Sequence, residues 1–174
     1  LANQWGKIQE ALDLTRQATE QMSEAPADQT TLIFQGAAVI WLGVNHRLLG
    51  DLDQASQLFF EAATLNQRAG SFYGALASVE QAADVAKIQG QLHRAAELYR
   101  RGLKMVDRWS RQEGMIRSSL PAATGPHLGL GTVLYQWNDL EAAPHLRRAY
   151  ELGELERAWW RVHGYRMPRM WKST

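Results

Sequence analysis

The chain has 174 residues, 45% of them apolar and 21% charged, which is a globular rather than disordered composition and enough for one domain with a substantial core. Lys and Arg number 19 against 18 Asp and Glu, so a net charge of +1 demands neither a nucleic-acid nor a membrane partner. The absence of cysteine excludes disulfide staples and thiolate chemistry and suits a reducing compartment, with the cytoplasm as the expected location.

Residues 3–23 read as one amphipathic helix, ended before Pro26. Gln29 to Leu49 reads as the first helix of a pair and residues 52–67 as its partner. Within the first, Gly36 to Val44 is the longest unbroken run of apolar residues and glycine, at nine residues far short of a membrane span. After the link Gln67–Gly70, Ser71 to Gln89 and Leu92 to Trp109 form a second pair. Arg111 to Pro126 is the longest irregular stretch, rich in breakers such as Gly114, Pro121 and Gly125. His127 to Trp137 and Leu140 to Leu152 form a third pair, with a mild kink expected at Pro144. Glu154 to Tyr165 begins a further helix. No segment alternates at period two, so no sheet is expected.

The pairs share one grammar. Gly50, Gly90 and Asn138 each interrupt a helix-forming run, and Leu52, Ala55 and Leu58 recur as Leu92, Ala95 and Leu98 and as Leu140, Ala143 and Leu146. A fainter copy starts at Gly6, and the four starts lie 44, 40 and 48 residues apart. Seven residues before the three stronger breaks stands a small residue, Gly43, Ala83 or Gly131. Gly or Asn at the break can take the left-handed conformation that ends a helix, and Asp51 with Gln54 has the spacing of a capping box. Period and grammar predict an all-α fold: a right-handed superhelical solenoid of antiparallel helix pairs, about eight helices in all. One helical-repeat domain is expected over 1–174, with repeats at 1–23 (partial), 29–67, 71–109, 126–152 and 154–174 (partial), as a piece of a longer chain. Trp159, Trp160, Met167, Met170 and Trp171 look like an apolar stripe left bare at its end, which would allow self-association there.

The spacing resembles the tetratricopeptide pattern: Gly43, Ala55, Phe59 and Ala62, then Ala83, Ala95, Tyr99 and Gly102. The third copy departs, carrying Arg147 and Tyr150 at the last two positions, and the units exceed the usual length of about 34 residues. LYQWNDLEAAPHLRRAYEL, with LPAATGPHLGLG upstream, resembles the helical-repeat region of the MalT-like, ATP-dependent LuxR-type transcription regulators. GDLDQASQLFFEAATL and GQLHRAAELYRRGL resemble that family's preceding repeats, so the likeness covers roughly residues 30–165. The resemblance implies an ATPase module before the repeats and a DNA-binding helix-turn-helix after them, with an inducer or an inhibiting protein sensed by the repeats. ATP and DNA would therefore belong to neighbouring domains. No G-x-x-x-x-G-K-[ST] loop exists here, and Gly129-Leu130-Gly131 reads as helix packing.

Catalytic signals are weak. The five histidines show no metal-ligand spacing, and there is no nucleophile elbow. Under the tetratricopeptide register, the concave-face positions carry Arg47, Glu80, Asp84, Lys87, Tyr135 and Gln136 beside small apolar residues. Convergent polar groups on a concave surface are what a ligand site requires. Lys87 lies three residues from Asp84 and can pair with it. Trp5, Trp41, Trp109 and Trp137 are expected in the core, and the basic-aromatic stretch Arg157 to Lys172 is read as a helix face rather than a nucleic-acid grip. These readings predict a non-catalytic sensor without cofactor or metal, binding a small-molecule inducer or a regulatory protein and contacting the other domains of its regulator. The competing reading is a scaffold that holds a partner's peptide in the same groove.

Overall fold

Seven α-helices follow one another among the described residues: α1 (Ala2–Ser23), α2 (Gln29–Leu49), α3 (Leu52–Arg68), α4 (Phe72–Ile88), α5 (Leu92–Gln112), α6 (Thr124–Gln136) and α7 (Ala142–Val162). A short 3-10 turn, Pro121–Ala123, leads into α6. The structure, a computed structural model, describes residues 2–26, 28–113 and 121–162, and none of these is in a strand. Each helix packs mainly on its sequence neighbour, which makes the chain an all-α stack of helix pairs.

The corners explain the stacking. Gly50, Gly70, Gly90 and Asn138 have φ of 85°, 67°, 74° and 55°, the left-handed region in which only Gly and, less readily, Asn rest cheaply. Each corner closes with the same pair of backbone bonds. At Gly50 they are Gly50 N–H to Arg47 C=O at 3.1 Å and Asp51 N–H to His46 C=O at 2.9 Å, and matching bonds form at Gly70, Gly90 and Asn138. These Schellman closures satisfy carbonyls that the helix end would otherwise orphan. The Asp51 carboxylate then accepts from Gln54 N–H at 3.3 Å and Ser71 Oγ accepts from Gly74 N–H at 3.4 Å, starting α3 and α4.

Small residues set the distance between partner helices. A Cβ on Gly43 would stand 2.8 Å from Cε1 of Phe59, a fully buried ring. Asn66 of α3 is wedged between Gly36 of α2 and Gly74 of α4, and its Nδ2 donates to Ala62 C=O at 2.9 Å. Ala55, Ala62, Ala83 and Ala95 are completely buried, as expected for the close-approach positions.

The third pair departs from the sequence expectation in two ways. After Asn138 the chain turns for longer: Asp139 Oδ1 accepts from Glu141 N–H at 2.9 Å, and α7 starts only at Ala142. The buried stripe slips by one residue. Ala142, Ala149 and Leu152 are buried and Leu146 abuts Gly131, while Ala143, Arg147 and Tyr150 face outward. Leu140, the counterpart of Leu52 and Leu92, is left 92% exposed. Pro144 becomes the third residue of α7, where its missing N–H has no helical partner to lose, and this removes the expected reason for a kink. Second, the helix expected to begin at Glu154 is the continuation of α7, which runs through Gly153 to Val162. A single glycine costs a helix only about 1 kcal/mol relative to alanine, too little by itself to end one. The expected stripe at Trp159, Trp160, Met167, Met170 and Trp171 lies outside the described side chains.

Two glycines therefore predict opposite outcomes. Gly43→Ala should lower unfolding stability by about 1–3 kcal/mol, because the Phe59 ring cannot yield. Gly153→Ala, with nothing within 4 Å of its new methyl, should raise it by about 0.5–1 kcal/mol. Urea midpoints of the two variants check both signs.

Candidate functional site on the inner helix face

The first helices of successive pairs touch one another, α2 with α4 and α4 with α6, more extensively than the second helices do. The face formed by α2, α4 and α6 is thus the inner side of the stack. None of the concave-face residues Arg47, Glu80, Asp84, Lys87, Tyr135 and Gln136 is buried there.

Three of the six converge. Lys87 Nζ donates to Asp84 Oδ1 at 2.9 Å, and Glu80 lies one turn back on α4, close enough to feel the Asp84 charge. The sequence reading missed a fourth member. Tyr99, the buried aromatic of α5, donates its hydroxyl to the same Asp84 Oδ1 at 2.6 Å, and Lys87 Nζ sits 3.3 Å from that hydroxyl and 5.8 Å from the ring centre. No hydrogen bond or ion pair joins Arg47, Tyr135 or Gln136 to this cluster among the described residues. Arg47 is half-buried on α2 with its Nε lacking a hydrogen-bond partner. Tyr135 is 73% exposed on α6, with Gln136 beside it in solvent.

Helix α6 closes over the cluster through glycines. A Cβ on Gly125 would stand 2.7 Å from Glu80 Oε2, and one on Gly129 would collide with the Tyr99 ring. Burial under this cover pushes the Glu80 carboxyl up to about 7, with the Asp84 charge adding to the effect. Burial raises the Tyr99 phenol far above its usual range, reinforced by its bond to Asp84 and by both acidic charges.

Helix α2 exposes more aromatic surface than the sequence implied. Trp41, expected in the core, is 62% exposed on α2, and Phe34 and Leu48 flank it at intervals of seven residues with 58% and 53% exposure. Seven residues are nearly two full turns, so the three share one helical stripe. Tyr73 at the start of α4 is likewise 62% exposed, but it packs edge-on against Phe72 and Trp109, with ring centres 5.2 and 5.5 Å away. The spacing of Phe34, Trp41 and Leu48 was the available signal; periodicity alone does not say whether a stripe faces core or groove. Trp109 and Trp137 are half-buried, the latter 4.5 Å from the His93 ring, and the Trp5 side chain lies outside those described. By length and composition α2 is apolar enough to cross a membrane, but it is packed against α1, α3 and α4.

A second polar pair joins α6 to α7. His127 Nδ1 and His145 Nδ1 are 2.8 Å apart, a distance that admits one shared proton. Burial, then His145, then Arg148 bring His127 down to about 4, and burial also lowers His145 against the pull of Glu141. Among the described residues no group of three or more His, Asp or Glu could hold a metal ion.

This arrangement defines a tetratricopeptide-type helical-repeat protein. Residues 1–166 match the family described as the MalT-like TPR region, and the chain belongs to that family. The fold is similar to the crystal structure of BtubC (BKLC) from P. vanneervenii, with a TM-score of 0.69 and 18% identity over 86% of this chain and 57% of that one. The chain thus spans little more than half the length of that protein, and at this identity the likeness concerns the fold alone. A Podosopora anserina putative kinesin light chain with nearly identical TPR-like repeats aligns over 89% of this chain and 88% of its own at 17% identity, with a TM-score of 0.47. No curated protein matches the chain.

The half-buried Glu80 and the histidine pair predict opposite pH limbs. Glu80 has a folded value of about 7 against an ordinary 4.5, so its contribution to stability is present below 4.5 and lost as pH rises through 7. His127, at about 4 against an ordinary 6.5, contributes above 6.5 and loses this as pH falls through 4. Glu80→Gln should therefore gain on wild type between about pH 5 and pH 8, and His127→Gln should gain on it between about pH 6 and pH 4. Denaturant unfolding across pH reads both, and parallel profiles for all three proteins would contradict the assignment.

Proposed function

We propose that this chain is the sensing and interaction domain of a MalT-type, LuxR-class transcription regulator, and that it does no chemistry of its own. Its inner face takes up a small-molecule inducer or a regulatory protein, and the bound state favours one arrangement of the repeats over another. A ligand can shift such an equilibrium only by its difference in affinity between the two arrangements. The observation that carries the reading is the membership of residues 1–166 in the MalT-like family together with the Glu80–Asp84–Lys87–Tyr99 cluster on the inner face. Donor and acceptor stand side by side there, and Arg47 on α2 holds a buried N–H with no partner. Polar groups converging on one helix face support a specific ligand. The ATPase and DNA-binding activities of such a regulator would reside in neighbouring domains, and the working compartment would be the cytoplasm.

The stripe Phe34–Trp41–Leu48 favours a second reading, a scaffold that receives a partner's apolar peptide along α2. Thermal unfolding against a panel of metabolites and of short peptides separates the two. A ligand present at 100 times its dissociation constant adds about 2.7 kcal/mol, which for a chain of this size raises the midpoint on the order of 5–10 °C. A metabolite shift abolished by Asp84→Asn but kept by Phe34→Ala supports the sensor. A peptide shift with the reverse dependence supports the scaffold, and no shift in either panel defeats inner-face binding.

A further inference from the structure

On the other side of α4, away from the inner-face cluster, α5 and the α3–α4 corner enclose a cleft of about 510 Å³. Its floor is apolar: Phe72 and Trp109 stack with ring centres 4.4 Å apart and planes 6° apart, beside Ala75 and Met105. Its rim is cationic. Arg101, Lys104 and Arg108 project from α5 at i, i+3 and i+7, and the other polar lining residues, Gln67 and Ser71 at the α3–α4 corner and Gln112 at the end of α5, are neutral. Helix α5 carries six Arg and Lys against two acids, Glu97 and Asp107, in a chain whose net charge is only +1. Elsewhere the cations Arg16, Lys87, Arg148 and Arg157 each pair with an acid three residues away. Arg101, Lys104 and Arg108 form no such pair among the described residues. Three like charges on one helical stripe repel each other and weaken the helix. The volume is that of a small-molecule site, and guanidinium forks are suited to phosphate and carboxylate oxygens.

We propose that this cleft binds a small polyanion with a planar apolar body, the body lying on the Phe72–Trp109 slab and its phosphate, sulfonate or carboxylate groups reaching Arg101, Lys104 and Arg108. The site is separate from the inner face and does not depend on the function assigned to that face. Pyrenetrisulfonate, which joins a flat apolar ring system to three negative charges, is a direct probe by fluorescence titration; tripolyphosphate supplies the charges without the body. The triple variant R101Q/K104Q/R108Q should weaken probe binding by more than tenfold. The double variant R94Q/R111Q, which removes charge from the same helix outside the cleft lining, should change it less than threefold. Tripolyphosphate should bind at least tenfold more weakly than the probe, and Asp84→Asn should leave probe affinity unaltered. Equal losses in the triple and double variants would reduce the effect to general charge attraction and overturn the site. Tripolyphosphate binding as tightly as the probe would overturn the role of the aromatic floor, and a probe displaced only by acidic peptides would assign the cleft to a protein partner instead.

Discussion

Three helices meet on one side chain, Tyr99. Its ring fills the space that Gly129 of α6 leaves open, and its hydroxyl reaches across to Asp84 of α4. A buried phenol must place its hydroxyl on an acceptor or lose the free energy of an unmade hydrogen bond, roughly 1–3 kcal/mol. The packing of α6 on α5 and the polar cluster of the inner face are therefore one constraint. A methyl at position 129 would displace the ring, and the ring would carry its hydroxyl away from the carboxylate.

The same economy of small residues runs through the stack. Gly43 admits Phe59, Gly131 admits Leu146, and Gly36 with Gly74 admits Asn66. Each contact trades a side chain on one helix for a closer approach of the next, and the left-handed corners at Gly50, Gly70, Gly90 and Asn138 return the chain at the angle these contacts need. Because each pair is held mainly by its neighbours, a local change of register, as in the third pair, is absorbed there without disturbing the earlier repeats.

Charge is unevenly spread over the stack although the chain is almost neutral, with an excess of cations on α5. The acids Glu80 and Asp84 lie under the cover of α6 on the inner side, while the cations of α5 gather on the opposite side of α4. Composition averages these two surfaces to nearly nothing. A net charge of +1 therefore says little about what either face can bind.

The sequence by itself determined the helical class, the corners at Gly50, Gly90 and Asn138, and the close-approach positions of the first two pairs. These are local matters, since the left-handed preference of Gly and Asn and the 3.6-residue period act within a few residues of chain. It also placed Asp84 and Lys87 together, because a helix brings residues three apart onto one face. What only the tertiary structure decided depends on contacts between helices distant in sequence. Tyr99 fits its tetratricopeptide position as a core aromatic, and its second role appears only when α5 packs beside Asp84. Trp41 reads as core from its place in a helix pair, but it is left 62% exposed on α2. The one-residue slip in α7 follows from an Asp139 turn whose extra length the pattern of apolar residues did not record. Helical period assigns residues to faces, but which face is buried is settled by the packing of neighbouring helices.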